Sequence, residues 1–168
     1  MNALVVYFSR TGNTKALAGQ IATALDAKLD EITERKDRHG ILGYLRSGRE
    51  AWFKRRPELV PSSVDPSTFD VVVIGTPIWN ASLSSPVRAY LADHARELRK
   101  VAFFCTMGGM GSGRVFRQMQ DVCGQPPLAT FARTEEQLVK SDLQDAIKTF
   151  VARLADAVGP DATARAAR

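Results

Sequence analysis

The sequence predicts an α/β domain built on a doubly wound parallel sheet of five strands. Three observations carry that prediction. Strand-like apolar runs alternate with helical patterns along the chain. One run, Asp70-Val71-Val72-Val73-Ile74-Gly75, is apolar without alternation, as expected of a strand buried on both faces. Such alternation implies right-handed crossovers and a parallel sheet covered by helices. Finally, three loops expected to leave the C-terminal strand ends, residues 9–14, 75–84 and 106–114, are each rich in glycine, hydroxyls or an aromatic. Ligands of such sheets bind outside that edge, near the switch in strand order.

Taken in order, Ala3-Leu4-Val5-Val6-Tyr7-Phe8 reads as the first strand, and Ala16, Leu17, Gln20, Ile21 and Leu25 mark the first helix. Lys28 to Thr33 reads as a short, polar second strand. Gly40 to about Arg56 has helical periodicity, with Ile41, Leu45, Gly48 and Trp52 on one face, and Pro57 stops it. Residues 61–66 are loop and 70–75 the third strand. A turn-rich stretch leads to a helix from Ser85 to Arg96, then a fourth strand from Lys100 to Cys105. A glycine-rich loop, Thr106 to Gly113, precedes a helix to Cys123. Pro127 to Arg133 is the fifth strand, and Asp142 to Val158 the last helix, with Leu143, Ile147, Phe150, Val151 and Leu154 inward. Residues 1–158 are expected to form one domain and 159–168 a flexible tail.

Composition narrows the function classes. The 168 residues are 45% hydrophobic and 24% charged, which suits a globular domain. No apolar run reaches membrane-spanning length, and the N-terminal run lacks the basic flank and cleavage site of a signal peptide. The two cysteines, Cys105 and Cys123, form no CxxC or Cys/His cluster, which argues against a zinc site and suits a reducing cytoplasm. The net charge of +5 is carried entirely by residues 34–56, where eight basic groups face three acidic ones. That segment is either a solvated helix face or an attractor of nucleic acid, an acidic partner or a phosphorylated cofactor.

The chemistry-bearing stretch is Ser9-Arg10-Thr11-Gly12-Asn13-Thr14, a hydroxyl-rich turn between strand and helix. A helix N-terminus carries unpaired N–H groups and partial positive charge, which together form an anion site. Ser9, Thr11 and Thr14 add hydroxyl donors, and Gly12 permits a tight turn. An ordinary N-cap fits the same residues. No GxGxxG fits, because Gly109-Met110-Gly111-Ser112-Gly113 is followed by Arg114, and no GxxxxGK[ST] occurs. Phe8 and Gly75 at the strand ends exclude the acidic pocket of a phosphate-accepting regulator.

SRTGNT resembles the flavodoxin phosphate-binding signature [ST]-x-T-G-x-T, matching at Ser9, Thr11, Gly12 and Thr14. Gly75-Thr76-Pro77-Ile78-Trp79-Asn80-Ala81, followed by Pro86-Val87-Arg88, is similar to the second flavin loop of that family. Thr106 to Gly113 stands where the family places its third. The resemblance spans residues 2 to about 158 and implies a strand order 2-1-3-4-5, with flavin mononucleotide (FMN) at the strand ends. It implies phosphate contacts at Ser9, Arg10, Thr11, Gly12, Asn13 and Thr14. Ring contacts would come from Thr76, Pro77, Ile78, Trp79, Asn80 and Ala81, and from Thr106, Met107, Gly108, Gly109 and Gly111. Trp79 would pack on the isoalloxazine.

Departures from the family pattern bear on function. The third loop has no aromatic to complete a sandwich around the flavin, and residues 75–92 and 103–114 contain no Asp or Glu. The added element is the basic segment after the second strand, expected as an extra helix near the strand ends, with Trp52 or Tyr44 toward the cofactor or simply packed on the domain. The resemblance leaves two main readings: a carrier exchanging electrons with redox partner proteins, and a small oxidoreductase in which NAD(P)H or a quinone stacks on the flavin. A regulatory flavin-binding domain is a third. Because the flavin carries the electron chemistry, no catalytic side chain is expected. His39 and His94 read as isolated, and Cys105 as a buried structural thiol.

Overall fold

Ala3–Tyr7 form β1, and all five residues are buried, because the strand lies between two others and under helices on both faces. The computed structural model describes residues 1–35, 57–140 and 142–159. After β1 come α1 (Asn13–Leu25), β2 (Lys28–Glu31), a 3-10 turn (Pro66–Thr68), β3 (Val71–Trp79), β4 (Ser82–Leu83) and α2 (Ser85–His94). Then follow β5 (Val101–Met107), α3 (Ser112–Cys123), β6 (Thr130–Thr134), α4 (Glu135–Lys140) and α5 (Gln144–Val158). The sheet order is β2-β1-β3-β5-β6, parallel throughout, with β4 paired antiparallel to β3. The five parallel strands stand in the expected order, and the two-residue β4 is an addition.

Strand alternation divides the core between the two faces. Leu4, Val6, Val72, Ile74, Phe103 and Cys105 point to the side covered by α2 and α3, where they meet Val87, Leu91, Val115 and Met119. Val5, Tyr7, Val73, Ala102 and Phe104 point to the other side, against Leu17 and Ile21 of α1 and Ile147, Phe150 and Leu154 of α5. Each helix therefore buries residues three or four apart, as a single-faced helix must. Gly75 faces the Phe104 ring across the β3–β5 register, and a Cβ there would fall 2.0 Å from Phe104 Cζ. The glycine makes room for the aromatic.

The strand ends differ from expectation where they matter for the site. β3 continues to Trp79 and β5 to Met107, so Thr76 to Trp79 and Thr106 to Met107 are strand rather than loop. Pro77 falls between the last β1 rung at Gly75 and the first β4 rung at Ile78, in a gap where neither strand pairs with it. The last helical region is two helices, and α4 precedes the one expected. The expected helix from Gly40 to Arg56 and the tail beyond Gly159 lie outside the described residues. At the base of the basic segment, Glu34 bridges Leu59, Arg35 N–H donates to Glu58 O (2.8 Å), and Arg35 pairs with the Glu58 carboxylate at 2.6 Å.

Candidate functional site

The C-terminal ends of β1, β3 and β5 bring the three singled-out loops to one edge of the sheet. The first loop ends at Gly12, which precedes α1 with φ 96° in the left-handed region and gives it no side-chain cap. Gly12 N–H donates to Ser9 Oγ at 3.2 Å, and Gly12 O accepts from Ala16 N–H at 2.9 Å. Nothing lies within 4 Å of where a Gly12 Cβ would be. The turn is closed on itself, while the helix end above it is open.

Thr14 behaves differently from its neighbours in the motif. Its side chain is buried, and Thr14 Oγ1 lies 2.8 Å from Thr106 Oγ1. This hydroxyl joins the first loop to the end of β5. Ser9 is half-buried and Arg10 and Thr11 are exposed, so this end of the motif stays accessible. Asn13 Nδ2 donates to Glu135 Oε1 (3.1 Å) at the start of α4. Lys15 pairs with Glu31 at 3.1 Å, and Glu31 also accepts from the Tyr7 hydroxyl at 2.9 Å. Burial and that carboxylate push the Tyr7 hydroxyl pKa well above its usual value.

The second loop is a hairpin. Trp79 and Ser82 pair across a two-residue turn in which Asn80 and Ala81 have φ of 52° and 51°. Positive φ at both central residues matches the right-handed strand twist, although Ala carries a steric cost that Gly would not. Thr76 Oγ1 lies 2.9 Å from Ser84 Oγ, and Leu83 N–H donates to Gln118 Oε1 (2.9 Å), which fixes the hairpin to α3. Trp79 is half-buried, edge-on to Phe8 with centroids 6.4 Å apart, and the Arg10 guanidinium lies over it at 5.7 Å. Arg10 therefore holds the tryptophan from the first loop, a cation–π contact. The same Arg10 charge opposes the effect of burial, which raises the carboxyl pKa of the half-buried Glu34.

In the third loop, Gly108 and Gly109 are exposed with open space around them, and Met110 is 85% exposed. Gly111 precedes α3 with φ 112°, and a Cβ there would sit 3.0 Å from Ala81 Cβ. The second and third loops therefore touch at Ala81 and Gly111.

A family model described as flavodoxin matches residues 2–152. The chain belongs to the flavodoxin family. Among solved structures, one of a Bacteroides eggerthii protein provisionally called a flavoprotein is 23% identical, with a TM-score of 0.71 over 90% of this chain and 96% of that one. A Lactobacillus acidophilus flavoprotein solved in complex with FMN is 21% identical, with a TM-score of 0.64 over 83% and 97%. Two-electron-reduced Megasphaera elsdenii flavodoxin is 21% identical, with a TM-score of 0.57 over 91% and 99%. At these identities the likeness is one of fold. No curated protein matches the chain.

The remaining residues of note in this flavodoxin-family chain lie elsewhere. His94 is not isolated: its ring packs on Tyr90 with centroids 4.6 Å apart, and Nδ1 lies 2.5 Å from Glu97 Oε2. It helps line a cleft of about 580 Å³ with Asp30, Glu31, Glu58, Tyr90 and Asp93, and none of the three loops contributes to that lining. Cys105 is fully buried, and loss of solvation pushes its thiol up to about 12, which suits a structural role. Among the described residues no three His, Cys, Asp or Glu side chains group as a metal site, and no helix is long and apolar enough to cross a membrane. Glu135 is the site residue that sequence reasoning missed. Thr134-Glu135-Glu136-Gln137 has the spacing of a capping box, and that signal would have located α4.

Proposed function

We propose that this protein binds FMN non-covalently at the C-terminal sheet edge and exchanges electrons through it with a redox partner. The observation that carries the reading is the open N-terminus of α1. Gly12 leaves it without a side-chain cap, beside the exposed Thr11 and half-buried Ser9 hydroxyls, in a chain of the flavodoxin family. First-turn N–H groups aimed outward suit a dianionic phosphate.

The rest of the edge fits a flat ring. Trp79, fixed by Phe8 and Arg10, offers an aromatic face at the end of β3. The Asn80–Ala81 turn sets two peptide groups at the tip of that hairpin, where they can meet the edge of a ring. Gly108 and Gly109 present backbone without side chains, so a ligand can approach the main chain closely. Bound flavin supplies the electron-accepting ring, while these residues bind it, orient it and shield it from water. Arg10 and the absence of carboxylates from residues 75–92 and 103–114 favour added negative charge on the ligand. Two buried, unpaired thiols suit a reducing, cytoplasmic setting.

A second reading, an NAD(P)H-dependent oxidoreductase acting on quinones, is favoured by one observation. The third loop has no aromatic and carries the exposed Met110, so one flavin face is left for a stacked substrate. Anaerobic addition of NADH or NADPH to the flavin-loaded protein separates the two. A carrier keeps its oxidised visible spectrum until a reductase protein is added. An oxidoreductase bleaches directly and recovers when a quinone follows. A purified chain that takes up no FMN contradicts both.

A further inference from the structure

A carboxylate that touches the first loop through a side-chain hydrogen bond comes from a distant element. Glu135 Oε1 accepts from Asn13 Nδ2 at 3.1 Å across 122 residues of sequence. Asn13 is the first residue of α1, so the carboxylate stands at the positive end of that helix. Its placement is fixed locally, because Thr134 and Gln137 close a capping box around it: Thr134 N–H donates to Gln137 Oε1 at 3.0 Å, and Gln137 N–H donates to Thr134 Oγ1 at 3.2 Å. No ion pair among the described residues neutralises Glu135, whereas nearby Lys15 is already committed to Glu31. A negative charge of the protein itself thus stands beside the helix end, held by the Asn13 side chain while the backbone N–H groups stay uncapped.

We propose that Glu135 is a specificity-determining residue, whose carboxylate competes with the phosphate of a bound flavin for the α1 N-terminus. This rests on the reading of residues 9–14 as the phosphate site. Phosphate brings a second, doubly charged anion to the same helix end, where Asn13 already has a carboxylate as acceptor. The protein therefore prefers phosphorylated over unphosphorylated flavin by less than its open helix end allows. Riboflavin, which has the same ring and no phosphate, does not meet this competition.

The test compares FMN and riboflavin binding to the full chain freed of flavin, for wild type, Glu135→Gln and Glu135→Lys. Gln keeps an oxygen acceptor for Asn13 while removing the charge, and the exposed position tolerates both changes. The expected result is tighter FMN binding by about threefold in Glu135→Gln, and more in Glu135→Lys, from one unit charge acting on a dianion through partly screened solvent. Riboflavin affinity stays constant, and the gain fades at about 1 M salt, where the Debye length is roughly 3 Å. An unchanged FMN-to-riboflavin ratio, or equal shifts for both ligands, overturns the role of Glu135. A wild type that holds FMN no more tightly than riboflavin overturns the phosphate site itself, and the proposal with it.

Discussion

Gly12 and Gly111 occupy equivalent positions at the ends of two neighbouring turns, and their surroundings are opposite. Each precedes a helix in the left-handed region, with φ of 96° and 112°, and neither helix has a side-chain cap. Around Gly12 a Cβ would meet nothing within 4 Å, whereas at Gly111 it would meet Ala81 Cβ at 3.0 Å and Ala81 Cα at 3.1 Å. The same local chemistry therefore serves two ends. Space is open around Gly12 at the start of α1, while at the start of α3 the β3–β4 turn packs on Gly111 and braces the hairpin that carries Trp79. Of the two glycines that precede helices on this edge, only the second is in contact with a neighbouring turn.

The largest effect should come from closing the crowded side further. Gly111→Ala combines a disfavoured φ with contact against Ala81 and should cost about 3 kcal/mol, or roughly 6 to 12 °C in thermal unfolding followed by circular dichroism. Next comes the hydroxyl pair that links the first loop to β5. Thr14→Val leaves the buried Thr106 hydroxyl without its Thr14 partner and should cost about 2 kcal/mol in denaturant unfolding, most of it regained in the Thr14→Val/Thr106→Val double variant. Gly12→Ala should cost only about 1 kcal/mol, since backbone strain acts there without a clash. A cost equal to that of Gly111→Ala would erase the contrast. Smallest is Ala81→Gly, which relieves positive φ and should stabilise by about 0.5 kcal/mol. It should restore more than that in the Gly111→Ala background, where it also removes the 3.0 Å contact.

The sequence made the sheet legible because its central strands are buried on both faces, so Val71 to Ile74 and Ala3 to Tyr7 read as uninterrupted apolar runs. The ends were harder. Gly75-Thr76-Pro77 carries turn chemistry, yet these residues continue β3, because glycine there accommodates Phe104 and proline falls between the last β1 rung and the first β4 rung. Ser9, Gly12 and Trp79 could be placed at the strand ends because local spacing sets them there. The Thr14–Thr106 bond, 92 residues apart, and the Asn13–Glu135 bond, 122 apart, depend on which elements the fold sets side by side. Periodicity does not carry that information. His94, by contrast, finds its partners locally, with Tyr90 one helical turn away and Glu97 just past the end of α2.

The most direct measurement of where flavin binds is an amide NMR titration of the full-length protein with FMN. The open helix end predicts large shifts for the backbone N–H groups of Thr11, Gly12, Asn13 and Thr14 and for the Trp79 indole N–H, with smaller ones at Gly108 and Gly109. The amides of Ser112 and Gly113, at the start of α3 behind the Gly111–Ala81 contact, should move less than those of α1. Shifts centred instead on the cleft between Asp30, Tyr90 and His94, with Gly12 and Trp79 unmoved, would contradict the account.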